Sequence, residues 1–314
     1  MTRPAAGKPR EKAKKVVGVG LATLDQLILW EDMQQPVAGN RIVDQDVQGG
    51  GMVGTAVVAV ARLGAEAELW GAVGTDWAGD LILRGLTEEH VDVSQVTRAE
   101  GERGPLVIVC VDRPTGQRHF LYYHQVPEPD EPVGSLDRLR TAGCLLIDGT
   151  RHNSALRAVR EANRLGVPVV GDVGAVDDAA RELLAHMDYA IASEMCARRL
   201  GAGDDLRKAC EMIRATGPPH VIITLGEAGL VWLDRDRFGR MGAFEVDVVD
   251  TTGAGDVFHG AFCYGLVKGF PLERNLAFAS ATAAMKCRKL GGRAGIPRRD
   301  EVEQFLAERG VDPP

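Results

Sequence analysis

Aromatic side chains are scarce in this chain, only 5% of its residues, whereas glycine occurs 38 times. Few rings, ordinary apolar content and abundant glycine and alanine are the profile of a large α/β domain with many tight strand–helix turns. Six cysteines (Cys110, Cys144, Cys196, Cys210, Cys263, Cys287) are scattered without a Cys-x-x-Cys pair or companion histidine spacing. That excludes a zinc site or a disulfide framework and fits reduced thiols in a cytoplasmic protein. No stretch approaches the roughly 18 uninterrupted apolar residues of a membrane span. Positive charge is not in excess: the net charge of −7 argues against partnership with nucleic acid or an anionic membrane. Internal repeats are absent, and low complexity is confined to a basic tail, residues 1–15. That tail, followed by Val16–Ala22, superficially mimics a secretion signal. Asp25 follows at once, however, and no small-residue cleavage site is apparent, so the run reads as a buried first strand.

What is present is a long alternation of short apolar strands and helices. The 314 residues can bury a large core, and length alone points to roughly two domains. Leu145–Asp148, Val167–Asp172, Tyr189–Ala192 and Val221–Thr224 read as strands with helices between them, which implies a parallel sheet covered on both faces. Two regions differ. Leu27–Trp30 and Arg41–Val47 are short, partly alternating strands. Pro105–Asp112 and Gln117–His124 flank a turn at Arg113–Gly116 and read as a β-hairpin. The hairpin is either a lid or an ordinary extension of the sheet.

The most informative stretch is Val249-Asp250-Thr251-Thr252-Gly253-Ala254-Gly255-Asp256-Val257-Phe258-His259-Gly260. A strand-like segment, Phe244–Val249, runs through a turn poor in side chains into a helix with Phe258, Ala261, Phe262, Gly265 and Leu266 at helical spacing. Free N–H groups at a helix start, joined by the helix dipole, bind anions, and glycines let an anion approach the backbone. Asp256 stands in that first turn. An anion hole beside a carboxylate is what phosphoryl transfer to a hydroxyl requires. Simple dipole compensation is the plainer use of such an acid, but the flanking small residues favour catalysis.

A competing motif, Gly49-x-Gly51-x-x-Gly54, matches a dinucleotide fingerprint. Its context fails: the strand before it is polar and alternating. The strand after it begins, rather than ends, with Glu66 and Glu68, so no acid is placed for a ribose. Asp25, just past the first buried strand, can accept two sugar hydroxyls or cap a turn. Thr224-Leu225-Gly226 can offer a hydroxyl and bare backbone to phosphate or form an ordinary strand-end turn. Lys286–Pro297 is a basic, glycine-rich loop after an alanine-rich helix, and such lysines commonly compensate a helix dipole in solvent.

With these residues in order, the chain resembles the ribokinase/PfkB family of carbohydrate kinases over most of its length. Val249–Gly260 resembles the family's C-terminal signature, and Gly49–Ala56 leading to Ala61–Gly64 its first. Gly71–Gly79 and Thr224–Gly229 resemble two further loops. The resemblance implies a three-layer α/β core with a mainly parallel sheet (16–26, 48–102 and 125–314) and a small β-sheet lid (27–47 and 103–124). It implies transfer from ATP with Mg2+, Asp256 as base, and Gly253, Ala254 and Gly255 as anion hole. It places the sugar on Asp25, Gly50, Gly51, Gly54 and Tyr122, and ATP on Ser193, Thr224, Gly226, Gly229 and Ser280. It places a monovalent cation, K+, on backbone groups of Asp250, Thr252, Lys286, Lys289, Gly291 and Gly295. It also implies a cytoplasmic homodimer joined through the lid, which shields the site from water.

Three departures stand out. Gly54 replaces a usual asparagine, so one sugar contact must come from elsewhere. Ser193-Glu194-Met195-Cys196 replaces Asn-x-x-Glu, which leaves Glu194 or water to help hold magnesium. Phe244–His259 and Lys286–Pro297 look most like the ketohexokinase and sulfofructose kinase branches, implying a ketose or a ketose derivative. Yet Tyr122 and Thr150, with Arg151 next to it, stand where a sulfonate would call for cationic and amide groups. A kinase of nucleosides or other small alcohols on the same fold, and a non-catalytic sugar-binding relative, are the alternatives.

Overall fold

The computed structural model describes residues 15–32, 41–115, 118–124 and 126–312. The tail expected over residues 1–15 lies, apart from Lys15, outside the described residues. The chain begins with β1 (Lys15–Val19), β2 (Thr23–Trp30) and β3 (Ile42–Gly50), then α1 (Met52–Arg62), β4 (Glu66–Gly74), α2 (Trp77–Glu88) and β5 (Val91–Ala99). Next come β6 (Leu106–Asp112), β7 (Arg118–His124), β8 (Ala142–Ile147), α3 (His152–Leu165), β9 (Val169–Val173), α4 (Asp178–Leu184) and β10 (Tyr189–Ser193). The remainder is α5 (Glu194–Arg199), α6 (Leu206–Arg214), β11 (His220–Thr224), β12 (Leu230–Asp234), β13 (Arg237–Met241), α7 (Ala254–Lys268), α8 (Leu272–Lys286) and α9 (Arg299–Ala307).

Nine strands form the main sheet, in the order β13-β12-β11-β10-β9-β8-β1-β4-β5. Neighbours are parallel from β5 to β11, and β12 and β13 turn back antiparallel. The parallel strands are buried runs, as both-faced burial demands: Val16, Val17, Leu145, Ile147, Ile191 and Ile222 are essentially inaccessible. One apolar layer gathers α1, α2, α7, α8 and α9 on one face, and the other gathers α3 to α6 on the opposite face. The order reverses between β1 and β8. In open α/β sheets that switch point leaves a crevice at the carboxyl ends of the strands, where ligands bind.

The second sheet has the order β3-β2-β6-β7. Its β6–β7 pair is the expected hairpin, while β2 runs parallel to β6. This sheet is larger than the segments 27–47 and 103–124 imply, because β2 starts at Thr23 and β3 ends at Gly50. Leu27, Val107, Val109 and Val111 pack its inner face onto Leu290, in the loop after α8. Phe244–Val249 is not a strand. Beyond the β13 edge, the N–H groups of Val249 and Asp250 find the carbonyl of Cys287 instead, at 2.8 and 3.1 Å.

Candidate active site

Gly253 caps α7 in the left-handed region (φ 72°), and a Cβ there would stand 3.0 Å from the Gly292 Cα. Glycine is needed for the turn and for the close approach of the two loops. Ala254 returns its N–H to Thr251 O at 3.2 Å. The N–H groups of Gly255 and Asp256 have no acceptor among the described residues, as the start of a helix dictates. Apart from its chain neighbours and its own helix backbone, no atom lies within 4 Å of a Cβ built on Gly255, so that side of the first turn is open. Asp256 stands on the third residue of this helix.

Three other carboxylates act on Asp256 through their charges. Asp25 is on β2, Asp148 follows the last residue of β8, Asp172 is on β9, and Asp256 opens α7. Burial pushes the Asp256 carboxyl well above the usual aspartate range, and the charges of Asp172, Asp25 and Asp148 push it further, against Lys286. The helix dipole, which favours the ionised acid, is outweighed. Asp148 is also raised, first by burial and then by Asp172, although its carboxylate accepts from the Leu21 N–H (2.8 Å) and from the Thr150 N–H and hydroxyl (2.9 and 2.6 Å). His259, one turn along α7, holds Gly255 O through Nδ1 at 2.7 Å and brings Nε2 within 3.7 Å of Asp172.

Asp25 is not at the end of a core strand. It lies on the inner face of the small sheet, in one cross-strand row with Gln48, Val107 and Tyr122. Thr23 donates its hydroxyl to it at 2.5 Å, and burial pushes its carboxyl up against that bond and the Arg293 charge. A Cβ on Gly50 would stand 2.1 Å from the Asp25 carboxylate, and one on Gly51 (φ 83°) would stand 2.5 Å from Leu21 O. The bare loop is therefore what lets this acid lie against the main chain. Tyr122 is largely exposed on β7.

Arg293, to which the sequence reading assigned no role, fills the gap left by the missing side chains. It is buried, its Nη2 donates to Gly50 O at 2.8 Å and lies 2.9 Å from a Cβ built on Gly54, and Nη1 lies 1.9 Å from one built on Gly49. Burial pulls its guanidinium down to about 10 despite Asp25 and Glu89. Arg118, on β7, reaches Thr252 Oγ1 (3.2 Å) and Asp250 (3.7 Å), so the small sheet touches the turn that precedes α7. The signal for Asp148 and Asp172 was in the sequence: both are acids at the ends of short apolar strands, the rule applied to Asp25.

Of the residues assigned to ATP, two stand side by side at strand ends. Ser193 and Thr224 end β10 and β11 and are partners in register. Ser193 Oγ caps α5 by accepting from Cys196 N at 3.3 Å, and Thr224 donates to Ala192 O. Gly226 and Gly229 take positive φ in the turn beyond (58° and 87°), and Ser280 is half-buried on α8. Glu194 is engaged with Arg198 at 2.6 Å, and Cys196 is buried.

The sequence pattern of the pfkB family carbohydrate kinases matches residues 13–299. The chain belongs to this family. Among its members, a Staphylococcus aureus ribokinase is 27% identical over 307 residues, covering 92% of this chain and 99% of the relative. A 5-dehydro-2-deoxygluconokinase of Shouchella clausii is 26% identical, covering 94% and 96%. The crystal structure of a putative ribokinase from Agrobacterium tumefaciens superposes with a TM-score of 0.88 at 30% identity, over 95% of this chain and 98% of that one. This pfkB family member is thus an ATP-dependent carbohydrate kinase with the ribokinase-like fold.

Proposed function

We propose that this kinase phosphorylates a hydroxyl of a ketose or closely related furanose, with Asp256 as the base. The observation that carries the reading is the start of α7, where the N–H groups of Gly255 and Asp256 have no acceptor among the described residues and Asp256 feels the charges of Asp25, Asp148 and Asp172. Carboxylates accept hydrogen bonds from several sugar hydroxyls at once. The attacking hydroxyl gives its proton to Asp256 as its oxygen bonds to the γ-phosphorus and ADP leaves. In a loose transition state this base need not be strong. The N–H groups of Gly255 and Asp256 meet the charge on the transferring group. Ser193, Thr224, Gly226, Gly229 and Ser280 receive the nucleotide in this reading.

Magnesium fits as a phosphate-borne ion. No cluster of three or more His, Cys, Asp or Glu able to hold a metal exists among the described residues, and Mg2+ commonly keeps its waters and one or two carboxylates alongside substrate phosphates. When bound it would neutralise phosphate charge, and Asp148 and Asp172 would be the carboxylates to receive its waters. The six thiols are free and buried, in keeping with a cytoplasmic enzyme. A homodimer through the small sheet is supported by the exposed apolar residues Ile42, Val43, Val47, Leu121 and Tyr123. Sedimentation would give twice the chain mass.

The deciding experiment is ADP release with Mg-ATP across ketoses, ribose, sugar acids, sulfosugars and nucleosides. Highest kcat/KM on a neutral ketose or ribose is expected; preference for a nucleoside or an anionic sugar overturns the assignment. Asp25→Ala should raise the sugar Kd about ten- to a hundredfold, the equivalent of one charged acceptor, and spare ATP. Equal weakening of both ligands in calorimetry would mean that Asp25 only supports the fold.

A further inference from the structure

Lys286 ends α8, where a lysine ordinarily extends into solvent. Here its whole side chain is inaccessible. Nζ donates to the main-chain carbonyl of Asp250 at 2.9 Å. A buried ammonium needs compensation; burial pulls the Lys286 ammonium below the usual lysine range, and the nearby Asp250 charge works against that. The Asp250 carboxylate accepts from the Thr252 N–H (2.9 Å), the Thr252 hydroxyl (2.8 Å) and the Gly291 N–H (2.8 Å). It stays below the usual aspartate range: burial raises it, but these N–H bonds and the Lys286 charge prevail. The ammonium therefore sits inside the knot that joins residues 249–252 to 287–295. Directly beyond that knot, Gly292 packs on Gly253 and α7 begins.

The resemblance assigned the same loops a free monovalent cation on backbone groups of Asp250, Thr252, Lys286, Lys289, Gly291 and Gly295. The residues present do not fit one. Nζ takes the Asp250 carbonyl. The Lys286 carbonyl faces the Lys289 N–H at 3.4 Å and lies 2.1 Å from a Cβ position on Gly295. A second unit charge beside the ammonium meets direct repulsion in a site shielded from water.

We propose that Lys286 is a tethered cation: its ammonium does the work of a free K+ behind the anion hole, orders the turn 250–253, and makes the protein indifferent to monovalent cations. Lys286 touches neither sugar nor phosphate and acts as a positioning residue, through the Asp250 carbonyl and through its field at the start of α7. The turnover part of this inference rests on the kinase reading; the binding part does not.

The test uses the full chain in tetramethylammonium buffer at constant ionic strength, with K+, NH4+ or more tetramethylammonium added. Ligands that bind the folded state raise Tm. The wild type is expected to show the same Tm and the same ADP release in every salt. Lys286→Ala is expected to melt lower and to regain Tm specifically with K+ or NH4+. Its kcat should fall on the order of ten- to a hundredfold, short of the loss from removing a direct oxyanion donor, and recover with the same ions. A wild type stabilised or activated by K+ overturns the proposal. So does a folded Lys286→Ala that is as active as wild type or unresponsive to K+ and NH4+. If Lys286→Ala does not fold, the wild-type salt response decides. If no sugar supports ADP release, the kinase reading fails while the Tm comparison still decides the role of Lys286.

Discussion

Asp256 shows two demands in conflict on one side chain. As the proposed base it must be ionised beside an incoming anion, yet burial and the charges of Asp172, Asp25 and Asp148 raise its affinity for a proton. The folded chain therefore binds that proton more tightly than the unfolded chain does. Between the ordinary aspartate pKa and the raised folded value, stability falls as pH rises. Asp256→Asn should consequently raise Tm at neutral pH while lowering kcat by about 10²–10⁴, the span of general-base catalysis. Calorimetry and turnover on one preparation check both, and a lower Tm would show that the carboxylate is stabilising instead. The same electrostatics fix a pH effect. The acid limb of kcat/KM, which reports the free enzyme, should lie above the usual aspartate range. Asp172 is the foremost charge on Asp256, so Asp172→Asn should move that limb to lower pH. An unmoved limb would separate Asp172 from the base.

At the scale of elements, the turn into α7 was legible because small residues and a helix start are local facts. The parallel sheet was legible because buried strands are apolar runs. What stayed hidden depends on partners distant in sequence. Asp148, just past β8, and Asp172, on β9, belong to strands that look like any others until the sheet order sets β8 at the switch point with β9 beside it. Phe244–Val249 alternates like a strand but pairs with no strand among the described residues. Arg293 looks like one more basic residue in a loop. Its role appears only where Gly49 and Gly54, more than 200 residues away, leave room for its guanidinium. The expectation that a usual asparagine contact must be replaced therefore acquires a physical partner. Gly54→Asn should cost about 1–3 kcal/mol by overpacking against Arg293 and Ala22. In an Arg293→Ala background the asparagine regains space, so urea unfolding of the double variant should show a coupling of about 0.5–3 kcal/mol. Additive losses would mean that Arg293 does not fill the place of that side chain.

At the scale of the whole molecule, buried carboxylates of two kinds have opposite effects on stability. Asp25, Asp148 and Asp256, the acids of the proposed site, are raised, so ionising them at neutral pH opposes folding. Glu68 and Asp250 are lowered and favour it. Glu68, on β4 and fully inaccessible, is the clearest of the second group. Burial pushes its carboxyl up, but Arg138, Lys15 and the Trp70 indole, each at 2.8 Å, overcome that. They tie β1, β4 and the turn at Leu136–Thr141 together beneath the main sheet. A group lowered on folding contributes stability above its unfolded pKa and loses it as pH falls through the folded value. Glu68→Gln keeps the shape but leaves Lys15 and Arg138 facing an uncharged amide. Removing one partner of a buried pair costs about 3–5 kcal/mol, and the solvent access of Arg138 puts the expected loss near the lower end at neutral pH. Below the ordinary glutamate value of about 4.3 the unfolded chain takes up its proton first, and the folded wild type does so only below its lowered value, so the difference between the two proteins should shrink as pH falls through that window. Urea unfolding at neutral and acid pH measures it. A difference that is the same at both would mean that Glu68 acts through packing and hydrogen bonding rather than through its charge.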